Sequence, residues 1–569
     1  MHAVASPLVI GITSHRNLAT AEIAPIRARV RAWLMQLQGE FPNSPLTILS
    51  PLAEGGDQLV AEEGLKLGAR LIAPLPLPHA LYARDFADAA TRGQFESLCA
   101  QAQVIELPLL PGHSADGLHR NGVDRDRQYA QAGMFVARHC HVLLAIWDGK
   151  DSSKLGGTAQ IVDYYLTGAL PSAFDRRRRA PRWLAGGGDE RLLCHLVCAR
   201  EAPDGAPAAS LQAGQMIWRT PDATGQPDAP MPPAFRRVFA NANEFNLDAA
   251  KYREEIAAFH AEIDERHGAQ ACGTAAGLFA AADWLAVHFQ RRVLLGLRII
   301  YTAAALMGIA FTVYDNLPRS DNMLYVFLLL FVVGVVTSFI AKRRAWHRKY
   351  LDYRALAEGL RVQCYWRRAG ISLTTDPEFA HDSLMQKQDI ELGWVRNVMR
   401  SAGLSACAHV SSPDAQQVRG VIEDWVGDEE HGELGYYRHR TEQRERTHHI
   451  NEMIGAICLL AAILISVFMA VFLRQLSYDA KNDLIVIMAV FSIIAAVREA
   501  YSFRKADREL IRQYRFMGRV FGDARKALDR TDNLEEQRGI LRALGEAALA
   551  EHVEWAVMHR ERPLEAGRM

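Results

Sequence analysis

The sequence has no excess of either charge: Lys plus Arg and Asp plus Glu number 65 each. A chain balanced in this way has no global field with which to gather a polyanion, so nucleic acid is not expected as a partner. Paired cysteines are also missing. Cys99, Cys140, Cys194, Cys198, Cys272, Cys364, Cys407 and Cys458 are scattered, with no CxxC unit and no Cys/His set at zinc-finger spacing. They read as buried thiols of a reducing compartment, and no metal is expected. The histidines fall mostly in charged helices or loops without partner spacing, which leaves Ser/His/Asp chemistry without a motif. The chain does not open on a basic region followed by an apolar stretch of signal-peptide length. Its first apolar run, 8–12, is soon broken by Thr13, His15 and Arg16. The first domain is therefore expected to remain unexported.

A chain of 569 residues is too long for one hydrophobic core, and about three or four structural units are expected from its length. Hydropathy is near zero on average but very uneven along the chain. Four windows stand out: 293–314, 323–341, 453–473 and 484–497. A hydrocarbon layer of about 30 Å needs about 20 helical residues at 1.5 Å each. The first three windows meet that length. The fourth, of about 14 residues and about 21 Å, ends at the Arg498–Glu499 pair and needs snorkelling flanks, local thinning or shelter in a bundle; a buried soluble helix is its alternative.

Cations near membrane ends are retained on the cytoplasmic side. Arg291 and Arg292 precede the first window, Lys342, Arg343 and Arg344 follow the second, Arg444 and Arg446 precede the third, and Arg498, Arg504 and Lys505 follow the fourth. The two intervening turns hold only Arg319, Arg474 and Lys481. Two transmembrane hairpins are expected, with both chain ends cytoplasmic. Arg298, inside the first window, is expected to snorkel to the headgroups, with a pore- or partner-facing role as the alternative.

From residue 7 to about 200, short apolar runs alternate with helix-like stretches, the βαβ pattern of a parallel sheet. Candidate strands are 7–13, 46–49, 70–74, 104–107, 141–147 and 192–199. Ligands of such sheets sit beyond the carboxyl ends of the strands. Three strand ends carry small or charged residues there. The first is Gly11-Ile-Thr13-Ser-His15-Arg16, a small-residue turn with a cation, suited to an anion near a helix N-terminus. The second is Glu54-Gly55-Gly56-Asp57, whose paired glycines let amides approach a phosphate or ribose. The third is Asp148-Gly149 followed by Gly156-Gly157-Thr158-Ala-Gln160. Each motif alone is also what an ordinary loop contains; three on one sheet carry more weight.

The stretches GITSHR, SPLAEGGDQLVAEEGLKLGA, RQYAQAGMFVARHCHVLLAIWDG and GGTAQIVDYYL, spread over about residues 7–170, resemble the SLOG domains of the SMF/DprA and LOG group. That resemblance implies a Rossmann-like fold that binds nucleotides or nucleotide derivatives, with ADP-ribose-type ligands among those of its relatives in melastatin-type channels and bacterial antiviral sensors. Carried over by position, it implies a pocket lined by Gly11, Thr13, His15, Arg16, Glu54, Gly55, Gly56, Asp57, Asp148, Gly157 and Thr158, with Tyr129 on the base or ribose side. The enzymatic LOG branch resembles PGGxGTxxE at the last motif. Here Leu155 replaces the proline, Ala159 and Gln160 the second Gly-Thr, and Asp163 the glutamate. Sensing without turnover is therefore expected; Asp163 or Glu54 would carry the chemistry of an enzyme. No cofactor is required.

Residues 201–234, rich in Pro, Ala, Gly and Asp, are expected to be a linker or surface loop. The Arg-rich stretch at 176–182 reads as a solvated turn, with lipid contact as the alternative. Each hairpin is followed by a long basic helix with aromatic and aliphatic residues at helical spacing: Tyr350, Tyr353, Leu356 and Leu360, then Tyr501, Leu510 and Tyr514. The duplicated layout, with Trp366, Trp425, Tyr436 and Tyr437, resembles SLATT modules, two-helix membrane units found with SLOG domains and proposed to form pores. The organisation that follows is a SLOG-like domain at 1–200, linker and helices at 201–290, a first membrane module at 291–400 and a second at 401–569. The expected class is an α/β Rossmann-like cytoplasmic domain plus an all-α membrane region of two hairpins with long cytoplasmic helices. The expected function is a homo-oligomeric sensor-effector of a bacterial inner membrane: a nucleotide-derived or ADP-ribose-like ligand gates a channel or pore, with an antiviral role as one setting. The alternatives are a membrane-tethered nucleotide- or nucleoside-processing enzyme and a non-conducting scaffold.

Overall fold

Runs of Leu, Ile and Val four to seven residues long become strands because their side chains are buried on both faces once helices cover the sheet. The computed structural model describes residues 5–86, 88–119, 122–169, 191–267, 274–317, 321–371, 392–406, 414–472, 474–505 and 507–560. The first part runs β1 (Leu8–Ser14), α1 (Ile23–Glu40), β2 (Leu46–Leu49), α2 (Gly56–Lys66), β3 (Arg70–Leu75), α3 (His79–Tyr82), α4 (Ala89–Gln101), β4 (Gln103–Glu106), α5 (Val123–His139), β5 (Val142–Trp147), α6 (Thr158–Thr167), β6 (Leu193–Val197) and β7 (Met216–Arg219). The helical part follows: α7 (Pro233–Lys251), α8 (Arg253–His267), α9 (Thr274–Asn316), α10 (Asn322–Arg343), α11 (Trp346–Arg368), α12 (Gly393–Ala406), α13 (Ala415–Val421), a π-helical turn (Ile422–Val426), α14 (Gly432–Phe472), α15 (Tyr478–Lys505), α16 (Asp507–Leu528) and α17 (Leu534–Arg560).

The strands form one seven-stranded sheet in the order β4-β3-β2-β1-β5-β6-β7. Neighbours are parallel except β7, which runs antiparallel to β6. Right-handed crossovers that step one way from β1 to β4, and the other way from β4 through β5 to β6, place helices on both faces. The reversal leaves β1 and β5 adjacent with their connections leaving on opposite sides, so a crevice opens beyond Ser14 and Trp147.

Two differences from the sequence reading stand out. Part of the expected linker at 201–234 belongs to the sheet: Met216, Ile217 and Trp218 are buried in β7, a strand too short to carry a periodic signal. The chain also divides into two compact units, residues 1–282 with 356–412, and residues 283–355 with 413–569. In the first unit α12 lies against α7, with the rings of Trp394 and Phe245 5.8 Å apart. The Asn397 carbonyl meets His141 Nε2 at 2.8 Å just ahead of β5.

In the second unit, four helices are long and apolar enough to cross a membrane. Most of their large apolar side chains face outward: Tyr325, Leu329 and Phe339 on α10 are 71%, 64% and 61% exposed. Such a surface, at about 25 cal/mol per Å², demands an apolar surround. Tyr350 and Tyr353 of α11 meet Gln290 and Phe289 of α9, while Tyr514 and Phe521 of α16 meet Tyr437 of α14. Cys99, Cys140, Cys194, Cys198 and Cys458 are unpaired and buried, and Cys364 is half-buried. Cys272, Cys407, Arg319 and the Arg-rich stretch at 176–182 lie outside the described residues.

Candidate functional site

Strand β1 ends in the crevice and turns there, its pairing with β5 extended by a hydrogen bond from the His15 amide to the Ile146 carbonyl. His15 Nε2 lies 3.1 Å from Asp148 Oδ1, at the end of β5. Arg200, from the loop after β6, places Nε 2.7 Å from the other oxygen, Asp148 Oδ2. Burial pushes the Asp148 carboxyl up, but the Lys150 amide, His15 and Arg200 outweigh it and hold the group below its ordinary value. Burial depresses His15 in spite of the same carboxylate. The segment after Arg200 folds over this end of the sheet, where the Ala208 amide donates to the Asp148 carbonyl.

On the other side of β1, Ser14 Oγ donates to Asp57 Oδ1 at 2.5 Å. Asp57 sits in the first turn of α2 and is 2% exposed. Burial pushes its carboxyl up to about 7 against the pull of Ser14, Arg16 and the Ala53 backbone. The glycines before it bring α2 close. Gly55 has φ +90°, and a Cβ there would lie 2.3 Å from the Arg16 carbonyl oxygen; one on Gly56 would lie 2.6 Å from the Ser14 Cβ. These positions hold the helix start against 14–16, so the space beside them is filled by protein.

Arg16 is exposed, with its guanidinium 5.4 Å from the centre of the Tyr129 ring. The Tyr129 hydroxyl donates to Asp85 and accepts from Arg125 Nε, and Arg125 also pairs with Asp85. Tyr82, fully buried, sets its ring 6.2 Å from that of Tyr129, tilted at 52° to it. The turn that opens α6 joins here: Gly156, at φ +71°, comes so close that a Cβ would meet the Tyr129 Cβ at 3.1 Å. Gly157 caps α6 and Thr158 begins it.

The structure therefore gathers His15, Arg16, Asp57, Asp148 and Tyr129 around the ends of β1 and β5. Thr13 is buried in β1, opposite Ala145. Gly11 lies inside β1, where its bare Cα admits Val136 and Cys140 of the α5 end. Glu54 is half-buried in the turn before α2. Asp163 lines a separate groove of 330 Å³ with Trp147, Asp151 and Arg219. Sequence reasoning missed Ser14, Tyr82, Asp85, Arg125 and Arg200. Of these, Ser14 and Arg200 follow strand-end positions and were open to the same rule; Tyr82 and Asp85 carry no local signal. Among the described residues no group of His, Cys, Asp and Glu is arranged to hold a metal.

Together these features define a doubly wound α/β domain with a polar cluster at its switch point, joined to an all-α region with four membrane-length helices. Compared with known proteins, the chain matches no protein-family model and no curated protein.

Proposed function

We propose that the chain is a membrane-embedded sensor whose α/β unit binds a nucleotide-derived ligand and biases the packing of its membrane helices, the output being a channel or pore of several subunits. Its ends face the cytoplasm and its ligand is of the nucleotide or ADP-ribose class. The observation that carries this reading is one element, α9: a single helix that starts in the α/β unit, whose switch point holds the polar cluster, and ends as an apolar span. Arg16, exposed and stacked on Tyr129, supplies a cation for phosphate. Asp148, itself buried, holds the side chains of His15 and Arg200, which are partly exposed and offer donors beside it. A ligand shifts packing only by binding one arrangement more tightly, and a change from mostly closed to mostly open requires about 5.5 kcal/mol of differential affinity, shared among subunits.

Calorimetric titration of the purified full chain with ADP-ribose, ADP and AMP tests it. We expect binding of at least one, lost in Arg16→Gln, which removes the charge without setting a carboxylate beside Asp85 and Asp57, and ligand-dependent ion flux in liposomes. Absence of binding and of flux with all three defeats the reading; binding without flux leaves a ligand-binding domain on a passive anchor and defeats the effector half.

A further inference from the structure

Helices α14 and α15 leave between them an open groove of 490 Å³ near the inner ends of their apolar stretches. Its floor is made mostly of small side chains: the adjacent Gly455 and Ala456 from α14, with Leu459 one turn on, and Ser492, Ala495 and Ala496 from α15, the last three at three- and four-residue spacing on one face. A Cβ added at Gly455 meets nothing within 4 Å. The opposite face of α15 is already occupied: Ile493 packs on Gly308 of α9, and Tyr501 lies 5.7 Å from Tyr301. The groove therefore faces away from the other packed helix, toward whatever surrounds the hairpin.

Its mouth is charged. Arg498 lines it and donates to the neutral amide oxygen of Asn451. Two carboxylates also line the mouth: Glu499, exposed and next in the chain to Arg498, and Glu452, which is held by Arg508 and His448, 2.5 and 3.2 Å away. Arg498 is thus a cation at a membrane edge whose hydrogen-bond partner, Asn451, carries no charge. A phosphate would supply the charge, and an acyl chain fits a floor of small, mostly apolar side chains.

We infer that this groove is a binding site for one glycerophospholipid of the inner leaflet, its phosphate on Arg498 and one acyl chain lying over Gly455 and Ala495. The inference rests on the membrane reading of these helices and goes beyond it in naming an occupant.

Native mass spectrometry of the detergent-extracted full chain, with progressive delipidation, tests this. We expect the native chain to retain a phospholipid that is lost both in Gly455→Leu, which fills the groove and improves helix propensity, and in Arg498→Gln, and that is kept in Arg498→Lys. Equal retention by all four proteins overturns the inference. So does loss of dimers or higher species in Gly455→Leu with lipid retention unchanged, because a second copy then fills the groove. Extraction of the chain by alkaline wash without detergent marks failure of the membrane reading itself, an outcome separate from these.

Discussion

Asp57 is the carboxylate of the switch-point cluster that its environment pushes toward the neutral form. Its carboxyl ordinarily ionises near 3.8 and here is pushed up to about 7. Because the folded state holds the proton more tightly, the unfolded chain ionises first as pH rises; stability therefore falls between about pH 4 and 7 and stays lowered above that range. The shift corresponds to at most about 4 kcal/mol. We expect Asp57→Asn to gain thermal stability relative to the native chain on going from pH 5 to pH 8, by at most about 3 kcal/mol, since part of the effect already falls below pH 5. A difference independent of pH between the two proteins would mean that Asp57 does not titrate in this window. Strand ends were legible in the sequence because apolar runs bounded by small residues fix where a strand stops, and His15, Arg16, Asp57 and Asp148 lie beside the ends of β1 and β5. The partners Tyr82 and Asp85 were not, since they arrive from the short α3 and the 3-10 turn after β3, whose position depends on strand order.

The fourth apolar window shows the limit of hydropathy at the level of an element. It counts about 14 residues, yet α15 has 28, about 42 Å at 1.5 Å per residue, because polar residues such as Asp479 and Arg498 continue the helix outside the apolar stretch. Small residues set the contacts of this helix. A Cβ on Gly308 would lie 3.1 Å from Ile493 Cδ1, whereas one on Gly455 lies in open space. Gly308→Leu should therefore force α9 from α15 and destabilise the second unit by about 1–3 kcal/mol, read as a lower thermal midpoint in detergent; Gly455→Leu should not lower it. Equal midpoints for Gly308→Leu and the native chain would contradict the contact. The β7 strand escaped the sequence for the opposite reason: four residues among Pro, Gly and Asp give composition more weight than pattern, although Trp218 meets Trp33 of α1 at 6.1 Å.

For the chain as a whole, the division into an α/β part and a helical part with four spans follows from hydropathy alone, while the return of residues 356–412 to the first unit does not, because nothing local says which core an amphipathic helix joins. The distribution of Lys and Arg makes a topological prediction. With native thiols blocked, an impermeant maleimide added to intact cells should label Asp321→Cys and Ser477→Cys, both in the turns between spans. Ala345→Cys, between α10 and α11, should react only in inverted vesicles. Labelling of all three from one side would refute two hairpins with a shared entry face.

Helix α9 has 43 residues, about 64 Å of uninterrupted backbone. Each residue in it turns the axis by about 100°, so its two ends are geared: adding a single residue near Trp284 re-aims every side chain beyond it, and adding seven nearly restores the original bearing. Length here is tied to phase, and the chain can drift in composition along α9 far more readily than it can gain or lose one position.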